Sequence, residues 1–430
     1  MLKYIITVTE DLLITVTLVT LLYALCAKAF GRRGAVTQWA GIGVGVAASL
    51  GMAILKNTTK LIKTNQWNQG IFYCTVLFSV LFILLSLCFL RKKDAPWHAG
   101  SLIACAAGAC AAALLIFYEL PDVMAYPFNF NTGENGILSV DFLVRFLGWA
   151  FALILMLVYS RFLYKCAYRI NGMGLPRLVL NLGLLINAIR CFGQILRPWV
   201  SRAKWLRWPI PYAKADYPWA FPLATFVANN TVLFSLVIAG LTLILLGVFY
   251  AYNTRIHGRY ENSAQLRKLK ASARSGRRVS ATVLGCLVLS GLILTSVRAY
   301  ANRAPVLSAP ETYTITEDGL IVIDLEQVSD GTLHRFEYKT ESNVNVRWIV
   351  IKKPGGGAYG VGLDACEVCG TAGYYQRGEQ VVCKRCDVVM NINTIGFRGG
   401  CNPIPVAYEV KNGQMVFRLS DIIEAEKEFK

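Results

Sequence analysis

The sequence predicts an α-helical polytopic membrane protein with about eight transmembrane helices. A small β-rich extracytoplasmic domain with a paired-CxxC metal-binding motif is predicted to follow them. Of the 430 residues, 55% are hydrophobic and 16% charged, and the mean hydropathy of +0.45 is far from that of a soluble globular domain. Apolar stretches long enough to cross a hydrocarbon core of ~30 Å recur along the first three hundred positions. Five cysteines lie close together near the C-terminus.

Eight apolar stretches have the length of a membrane span, at about 20 residues each. They lie at residues 4–30, 36–55, 70–90, 100–120, 142–164, 178–196, 223–250 and 281–300. The first is followed by Gly31-Arg32-Arg33 and not by a small-residue cleavage site. We therefore expect a retained helix there and not a removed signal peptide.

The composition changes after Arg303, which predicts a membrane domain at 1–304 and a β-rich domain at 305–430. Short alternating runs at 320–325, 333–338, 344–351, 374–382 and 406–416 are typical of strands. The tripeptide Lys411-Asn412-Gly413 indicates a hairpin turn. Residues 421–429 have the composition of a short polar helix.

Charge is divided between these two parts, with a net of +22 in the membrane part and −4 from Pro305 onward. Because the basic residues flank apolar spans, they indicate membrane orientation and argue against binding to nucleic acid. The loops after spans one, three, five and seven contain 18 basic residues, and those on the opposite side contain 9. The positive-inside rule therefore places both termini, and the cysteines, outside the cytoplasm.

The cysteines form the pattern Cys366-x-x-Cys369, thirteen residues, then Cys383-x-x-Cys386. Two such turns can present four thiolates to one ion, and the donor set suits zinc, mononuclear iron or an iron–sulfur cluster. A structural zinc ribbon and disulfide chemistry are the alternatives to a redox or metal-transfer site. The exported location favours a mononuclear ion or redox-active dithiols over a preassembled cluster.

Two further residues near this motif are candidate ligands. Cys401 follows two glycines and is predicted to be a fifth ligand or a resolving thiol, with simple packing as the alternative. Met390, four residues after Cys386, offers a soft thioether to copper or iron, although a lone methionine in a β-rich domain is more often part of the core.

Carboxylates within or beside the spans form a second group of candidates. Glu10 and Asp11 lie inside the first span, and Glu119 and Asp122 lie at the end of the fourth, all near the predicted outer boundary. One hypothesis is a cation-attracting mouth with hard oxygen ligands for iron or protons. The alternative is that these acids neutralise Arg145 and Arg190 in the same half of the membrane.

Several short segments lie in a definite order near the C-terminus: DACEVCG at 364–370, GYYQ at 373–376, VCKRC at 382–386, IG at 395–396 and GGCNPIP at 399–405. Together they resemble the FtrD-like family of membrane iron–sulfur proteins. The resemblance covers about the last hundred residues. It implies a place in the bacterial inner membrane, an iron–sulfur group on Cys366, Cys369, Cys383 and Cys386, and partners that include an iron permease and a periplasmic metal-binding or redox protein.

Two functional hypotheses follow. In the first, the protein is a membrane redox carrier that passes electrons to iron or to a partner during iron uptake. In the second, it is a non-redox accessory or scaffold subunit of an iron transporter, with structural zinc in the cysteine motif. Classical enzyme chemistry is disfavoured because the sequence contains no phosphate-loop motif and His334 is the single predicted exported histidine.

Overall fold

The computed structural model describes residues 2–59, 64–90, 96–128, 140–170, 172–200, 219–256, 260–301, 306–367, 370–378, 380–385, 388–399 and 401–429. Contacts divide the chain into two units, Met1–Asn302 and Arg303–Lys430. Each unit is described by itself.

Most of the described residues of the first unit are helical. Its helices are α1 (Leu2–Thr58), α2 (Thr64–Phe89), α3 (Ala99–Ala125), α4 (Val140–Arg169), α5 (Gly174–Val200), α6 (Ala220–Asn229), α7 (Thr231–Asn253), α8 (Ser263–Leu292) and α9 (Arg298–Ala301), with a 3-10 turn at Tyr126–Phe128 and a π-helical segment at Ile293–Val297. Seven helical stretches in the described part are long and apolar enough to cross a membrane, and the first contains 55 residues. The prediction of a multi-span membrane protein is confirmed.

Helix α1 doubles back on itself at Gly31, whose dihedral angles (φ 57°, ψ −137°) are not helical. The Trp39 Nε1 atom lies 3.2 Å from the Tyr23 hydroxyl. In a straight helix, residues sixteen positions apart would be separated by about 24 Å. Glycine permits the positive φ at this reversal at little cost. The first arm (2–30) and the second arm (32–58) of α1 therefore correspond to the first two predicted spans.

Contacts between helices establish their relative directions. Thr17 contacts Tyr159 and Thr20 contacts Ser160, so the first arm runs parallel to α4. Ser86 bonds Asn181 and Gln69 bonds the Ile195 carbonyl, so α2 runs antiparallel to α5. Glu10, near the start of the membrane unit, forms an ion pair with Arg298, near its end. The first arm therefore starts at the same end of the bundle where α9 finishes. With α1 counted as two, the described helices make eight passes.

Small residues bring the second arm of α1 close to α3. A Cβ atom at Gly41 would lie 2.5 Å from the Ala109 carbonyl oxygen, and one at Gly45 would lie 2.8 Å from that of Ala113. One turn further, the Ser49 hydroxyl reaches the Ile116 carbonyl at 3.3 Å. Close backbone approach through small residues at every fourth position is a common way of packing helices in lipid.

Two boundaries in the membrane unit differ from the prediction. The span predicted at 223–250 is interrupted at Asn230, whose side chain donates to the Phe226 carbonyl and so competes with the helical ladder. The basic segment after the seventh span was predicted as a loop, but most of it is helical from Ser263 onward. Asn262 caps this helix by accepting from the Gln265 amide, and the lysines and arginines that follow are good helix formers.

The second unit contains three antiparallel sheets, which confirms the β-rich prediction. The strands are β1 (Thr314–Ile315), β2 (Leu320–Asp324), β3 (His334–Lys339), β4 (Asn345–Lys352), β5 (Tyr359–Leu363), β6 (Tyr374–Arg377), β7 (Gln380–Cys383), β8 (Val389–Met390), β9 (Glu409–Lys411) and β10 (Gln414–Arg418), followed by α10 (Leu419–Glu424). The strand orders are β1-β2-β10-β9, β3-β4-β5 and β6-β7-β8. The predicted hairpin at Asn412-Gly413 is present, with φ of 49° and 78°.

Strand β4 separates two apolar cores because its side chains alternate between faces. On one face, Trp348 and Val350 pack in a core with Phe417 of the β1-β2-β10-β9 sheet. Ile349 and Ile351 pack on the other face with the sheet that carries Cys383. The run at 374–382 was predicted as one strand, but it turns at Gly378 (φ 62°) to form the β6–β7 hairpin. This hairpin presents one cysteine loop to the second core.

Candidate metal centre

Two of the predicted ligand cysteines are buried in the second core of the β-rich unit. Cys366 follows β5 and is 3% exposed, and Cys383 ends β7 and is 2% exposed. Strand pairing places Cys383 directly opposite Tyr374 of β6. Both cysteines pack in one cluster with Met390 and Ile395, and Cys401 lies against that cluster. Cysteines from three segments of the chain therefore meet in one apolar layer.

Backbone hydrogen bonds close a short loop after each buried cysteine. The amide and carbonyl of Cys366 bond to the carbonyl and amide of Gly370 at 3.1 and 2.9 Å. Gly370 has a φ of +64°, which favours glycine at that turn. The Cys383 amide donates to the Val388 carbonyl at 3.0 Å. Each loop thus begins at a buried cysteine and contains the second cysteine of its CxxC pair.

Tyr374 is the residue at which these cysteine segments converge. Its hydroxyl donates to the Cys401 carbonyl oxygen at 2.6 Å and lies beside the Cys366 and Cys383 thiols. Burial, followed by the neighbouring Cys366, raises the pKa of the Tyr374 hydroxyl well above its usual range. The hydroxyl therefore remains protonated, with its one proton donated to the Cys401 carbonyl and its dipole beside the sulfurs.

A buried ion pair supports the cysteine loops from the side of β3. The Asp364 carboxylate is fully buried, accepts from the Arg335 Nε atom at 3.0 Å and accepts from the Tyr374 amide at 2.7 Å. Arg335 also donates to the Tyr374 carbonyl and to the Ser308 carbonyl. Gly373 leaves room for this carboxylate, because a Cβ atom there would lie 2.9 Å from it.

The sequence analysis did not identify Arg335 and Asp364. In the sequence, Arg335 lies inside a run that is predicted to be a strand, and Asp364 lies two residues before Cys366. Neither pattern indicates pairing when read alone, because β3 and the cysteine loop meet through the tertiary fold.

The remaining predicted ligands have different positions. Cys369 and Cys386 lie outside the described residues. Cys401 is partly exposed, whereas Met390 is 7% exposed and pairs with Val381 across β7 and β8. Within the described part of the chain, no three His, Cys, Asp or Glu side chains form a metal-binding group. Two of the four predicted ligands, Cys369 and Cys386, are not in that part.

The membrane carboxylates lie together at the end of the bundle where the first arm begins. Glu10 pairs with Arg298 and accepts from the Thr231 hydroxyl at 2.6 Å. Glu119 pairs with Arg190 at 3.0 Å. The two other acids have partners as well: Asp122 pairs with Lys56 at 2.9 Å, and Asp11 accepts from the Tyr126 hydroxyl at 2.7 Å.

The basic side chains Lys28 and Arg169 lie toward the opposite end. Lys28 donates to the carbonyls of Ile170 and Gly172, and Arg169 donates to the Ser275 hydroxyl at 2.9 Å. Arg145, predicted to pair with the acids, packs over the Tyr4 ring at 5.8 Å. In the described part of the bundle, the acids therefore lie at one end together with Arg298, Arg190 and Lys56, and Lys28 and Arg169 lie toward the other end.

The fold and the cysteine layer define a polytopic membrane protein with a thiol-bearing β-rich domain. Residues 328–429 match the model of the FtrD-like family, described as membrane iron-sulfur containing protein FtrD-like. This match confirms the predicted resemblance over that range and indicates a membrane metal-binding role. Neither a curated protein nor a solved structure matches the chain.

The chemistry of the described donors fits a thiolate-bound metal group. Cys366 and Cys383 offer soft sulfur ligands from an apolar layer, which suits iron, zinc or an iron–sulfur cluster. The Tyr374 hydroxyl beside them is the kind of neighbouring donor that orients ligands and tunes a metal group. The residues present are therefore compatible with the cofactor that the family description names.

Proposed function

We propose that the protein is a membrane-bound carrier whose cysteine site takes part in iron uptake by passing electrons to iron or to a partner. The observation that supports this most strongly is the convergence of Cys366, Cys383 and Cys401 around Tyr374 in a domain attached to an eight-pass bundle. Iron bound by thiolates would supply one-electron chemistry at a potential set by its surroundings.

The protein's own residues have distinct tasks in this proposal. Cys366 and Cys383, together with Cys369 and Cys386, would hold the iron or iron–sulfur group. The Arg335–Asp364 pair holds the strand ahead of the first loop against β6. The apolar side chains of the second core, including Ile349 and Ile395, exclude water from the sulfurs.

The accessory or scaffold function with structural zinc remains the second candidate, because the same four thiolates would suit zinc. Metal analysis and the absorption spectrum of the full chain, purified without oxygen in detergent, distinguish the two. The carrier proposal predicts iron and visible sulfur-to-iron charge transfer that is bleached reversibly by a reductant. Colourless protein with one zinc per chain would favour the scaffold function.

We also propose that the β-rich domain lies outside the cytoplasm of a bacterial inner membrane. The basic side chains near Lys28 and Arg169 lie at the opposite end of the bundle from Glu10 and Arg298. By the positive-inside rule, the Lys28 end would face the cytoplasm. An alkaline phosphatase fused after residue 430 should be active and a fluorescent protein exported by the same route dark. The reverse pattern would overturn this orientation.

A final proposal concerns delivery of iron at the acidic end of the bundle. Glu10 and Glu119 would raise the local concentration of cations for the cysteine domain or for a neighbouring iron permease. Replacement of both by glutamine should then impair iron-limited growth at unchanged membrane abundance. If the acids serve only to neutralise Arg298 and Arg190, abundance should fall with growth, because basic side chains would be stranded near the membrane.

A further inference from the structure

A small cavity lies between the first arm of α1 and helices α2, α3 and α5. Its volume of about 10 Å³ is close to that needed for a single water molecule. The residues that line it are Thr15, Phe72, Thr75, Leu115, Tyr118, Asn187, Arg190 and Cys191. Most of the surface that lines it is apolar, but six of these eight side chains carry a polar or sulfur atom that a buried water could contact.

The Thr15 hydroxyl is an unsatisfied polar group at this cavity. Thr15 is 3% exposed, and its Oγ1 atom has no hydrogen-bond partner among the described residues. Leaving a buried hydroxyl unbonded costs about 1–3 kcal/mol. The neighbouring Thr17 avoids that cost by bonding to the Leu13 carbonyl and Tyr159. A water in the cavity would satisfy Thr15.

Asp11 lies one helical turn before Thr15 and therefore on the same face of the first arm. At 1.5 Å per residue it lies about 13 Å along the helix from Leu2, inside the apolar span and near its predicted outer end. Its carboxylate accepts from the Tyr126 hydroxyl, and no basic side chain in the described part of the bundle lies within salt-bridge distance of it. Glu10, Glu119 and Asp122, by contrast, each have a basic partner.

The surroundings of Asp11 favour a proton over a metal ion. A hard cation requires about six oxygen ligands, but the nearby carboxylates are already bound by Arg298, Arg190 and Lys56. The cavity is too small for a hydrated ion. An ionised carboxylate within a span is costly, and carboxylates there often serve as proton relays.

We propose that Asp11 is a proton-binding site of the membrane domain, and that the cavity one helical turn away holds a water bound at Thr15. The charged and titratable groups that face this region come from several elements: Glu10 on the same helix, Tyr118, Glu119 and Asp122 on α3, Tyr126 after it, and Arg190 and Cys191 on α5. This site is independent of the cysteine centre, so either proposal can fail alone.

The test is infrared difference spectroscopy of the full chain in lipid nanodiscs, recorded between acidic and alkaline pH in H2O and D2O. We expect a reversible protonated-carboxyl band with a deuterium shift. Asp11→Asn should remove one component of the band, because asparagine can still accept from Tyr126 but cannot bind the proton, whereas the other carboxyl groups of the chain keep theirs. Asp122→Asn should retain it, because that side chain is 52% exposed and paired with Lys56.

Two further variants keep the proposal testable if Asp11→Asn does not fold. Tyr126→Phe removes the donor to the carboxylate and should move the appearance of the band to higher pH. Thr15→Val should change the band frequency through loss of the water, whereas Thr15→Ser should not. A band in Asp11→Asn that equals the wild-type band in size and frequency, or a band that is insensitive to Tyr126→Phe, would overturn the proposal. So would the absence of any titrating band in the wild type.

Discussion

Replacement of Asp364 by asparagine should destabilise the β-rich domain strongly. The Asp364 carboxylate is fully buried between Arg335, which is 1% exposed, and the Tyr374 amide. Asparagine has nearly the same shape and can still accept from Tyr374. It removes the negative charge, however, and leaves the Arg335 guanidinium buried without its counter-ion.

The size of the effect follows from that uncompensated charge. Removing one partner of a buried ion pair typically costs about 3–5 kcal/mol. Arg347, whose Nε atom lies 3.4 Å from the same carboxylate, would also lose its partner, but it is partly exposed and adds less. Since each 1.4 kcal/mol is a tenfold change, the equilibrium for opening the domain should shift by about 10²- to 10⁴-fold.

Amide hydrogen exchange of the full-length protein, followed by mass spectrometry, measures this shift. Peptides that cover β4 (Asn345–Lys352) should lose protection, and peptides from α3 in the membrane unit should not. Asp324→Asn is the matched control, because Asp324 is exposed and contacts only the Gln414 side chain among the described side chains. Asp324→Asn should change the free energy of unfolding of the domain by no more than about 0.5 kcal/mol.

The reasoning would be refuted if Asp364→Asn exchanged at the wild-type rate in β4. That result would mean that the Arg335–Asp364 pair does not hold β3 against the cysteine loop. Loss of protection equal to that of Asp324→Asn would lead to the same conclusion.

Three further outcomes can be measured independently. Tyr374→Phe should retain the bound metal but shift its absorption spectrum and reduction potential, because the hydroxyl dipole beside the sulfurs and its hydrogen bond to the Cys401 carbonyl are lost; an unchanged spectrum would contradict the placement of that hydroxyl. Gly413→Ala should destabilise the β9–β10 hairpin by about 1–2 kcal/mol in chemical denaturation, since its φ is +78°; equal stability would contradict the turn. Hydrogen bonds from the Thr332 amide, and then from His334 and the Thr332 hydroxyl, lower the pKa of Asp330 to about 2. This carboxylate should therefore contribute stability above its ordinary pKa and lose that contribution as pH falls toward about 2, an acid dependence that Asp330→Asn should lack.

The membrane architecture was predictable because the length of apolar stretches is a strong signal in sequence. The reversal at Gly31 lies between the first two predicted spans, as the basic residues Arg32 and Arg33 indicated. The interruption at Asn230 was not predictable, because a single asparagine in an apolar stretch is compatible with a continuous helix. The bonding of its side chain to the helix backbone is visible only in three dimensions.

The sequence identified candidate ligand cysteines, but it did not identify the residues that hold them in place. Spacing alone identified Cys366 and Cys383 as candidates. Tyr374 was part of a recognised segment, but its role as the meeting point of three cysteine segments depends on the pairing of β6 with β7. Long-range pairs such as Arg335–Asp364 and Glu10–Arg298 connect residues far apart in sequence, and no local pattern specifies them.

The measurement that tests the central claim most directly is metal content and absorption of the full chain purified without oxygen. Wild-type protein is compared with four variants in which Cys366, Cys369, Cys383 or Cys386 is replaced by serine. If the four cysteines hold one iron or iron–sulfur group, each single replacement should remove most of the metal and of the visible absorption, and Cys401→Ser should retain both. Wild-type protein with no bound metal, or variants that keep it, would contradict the account.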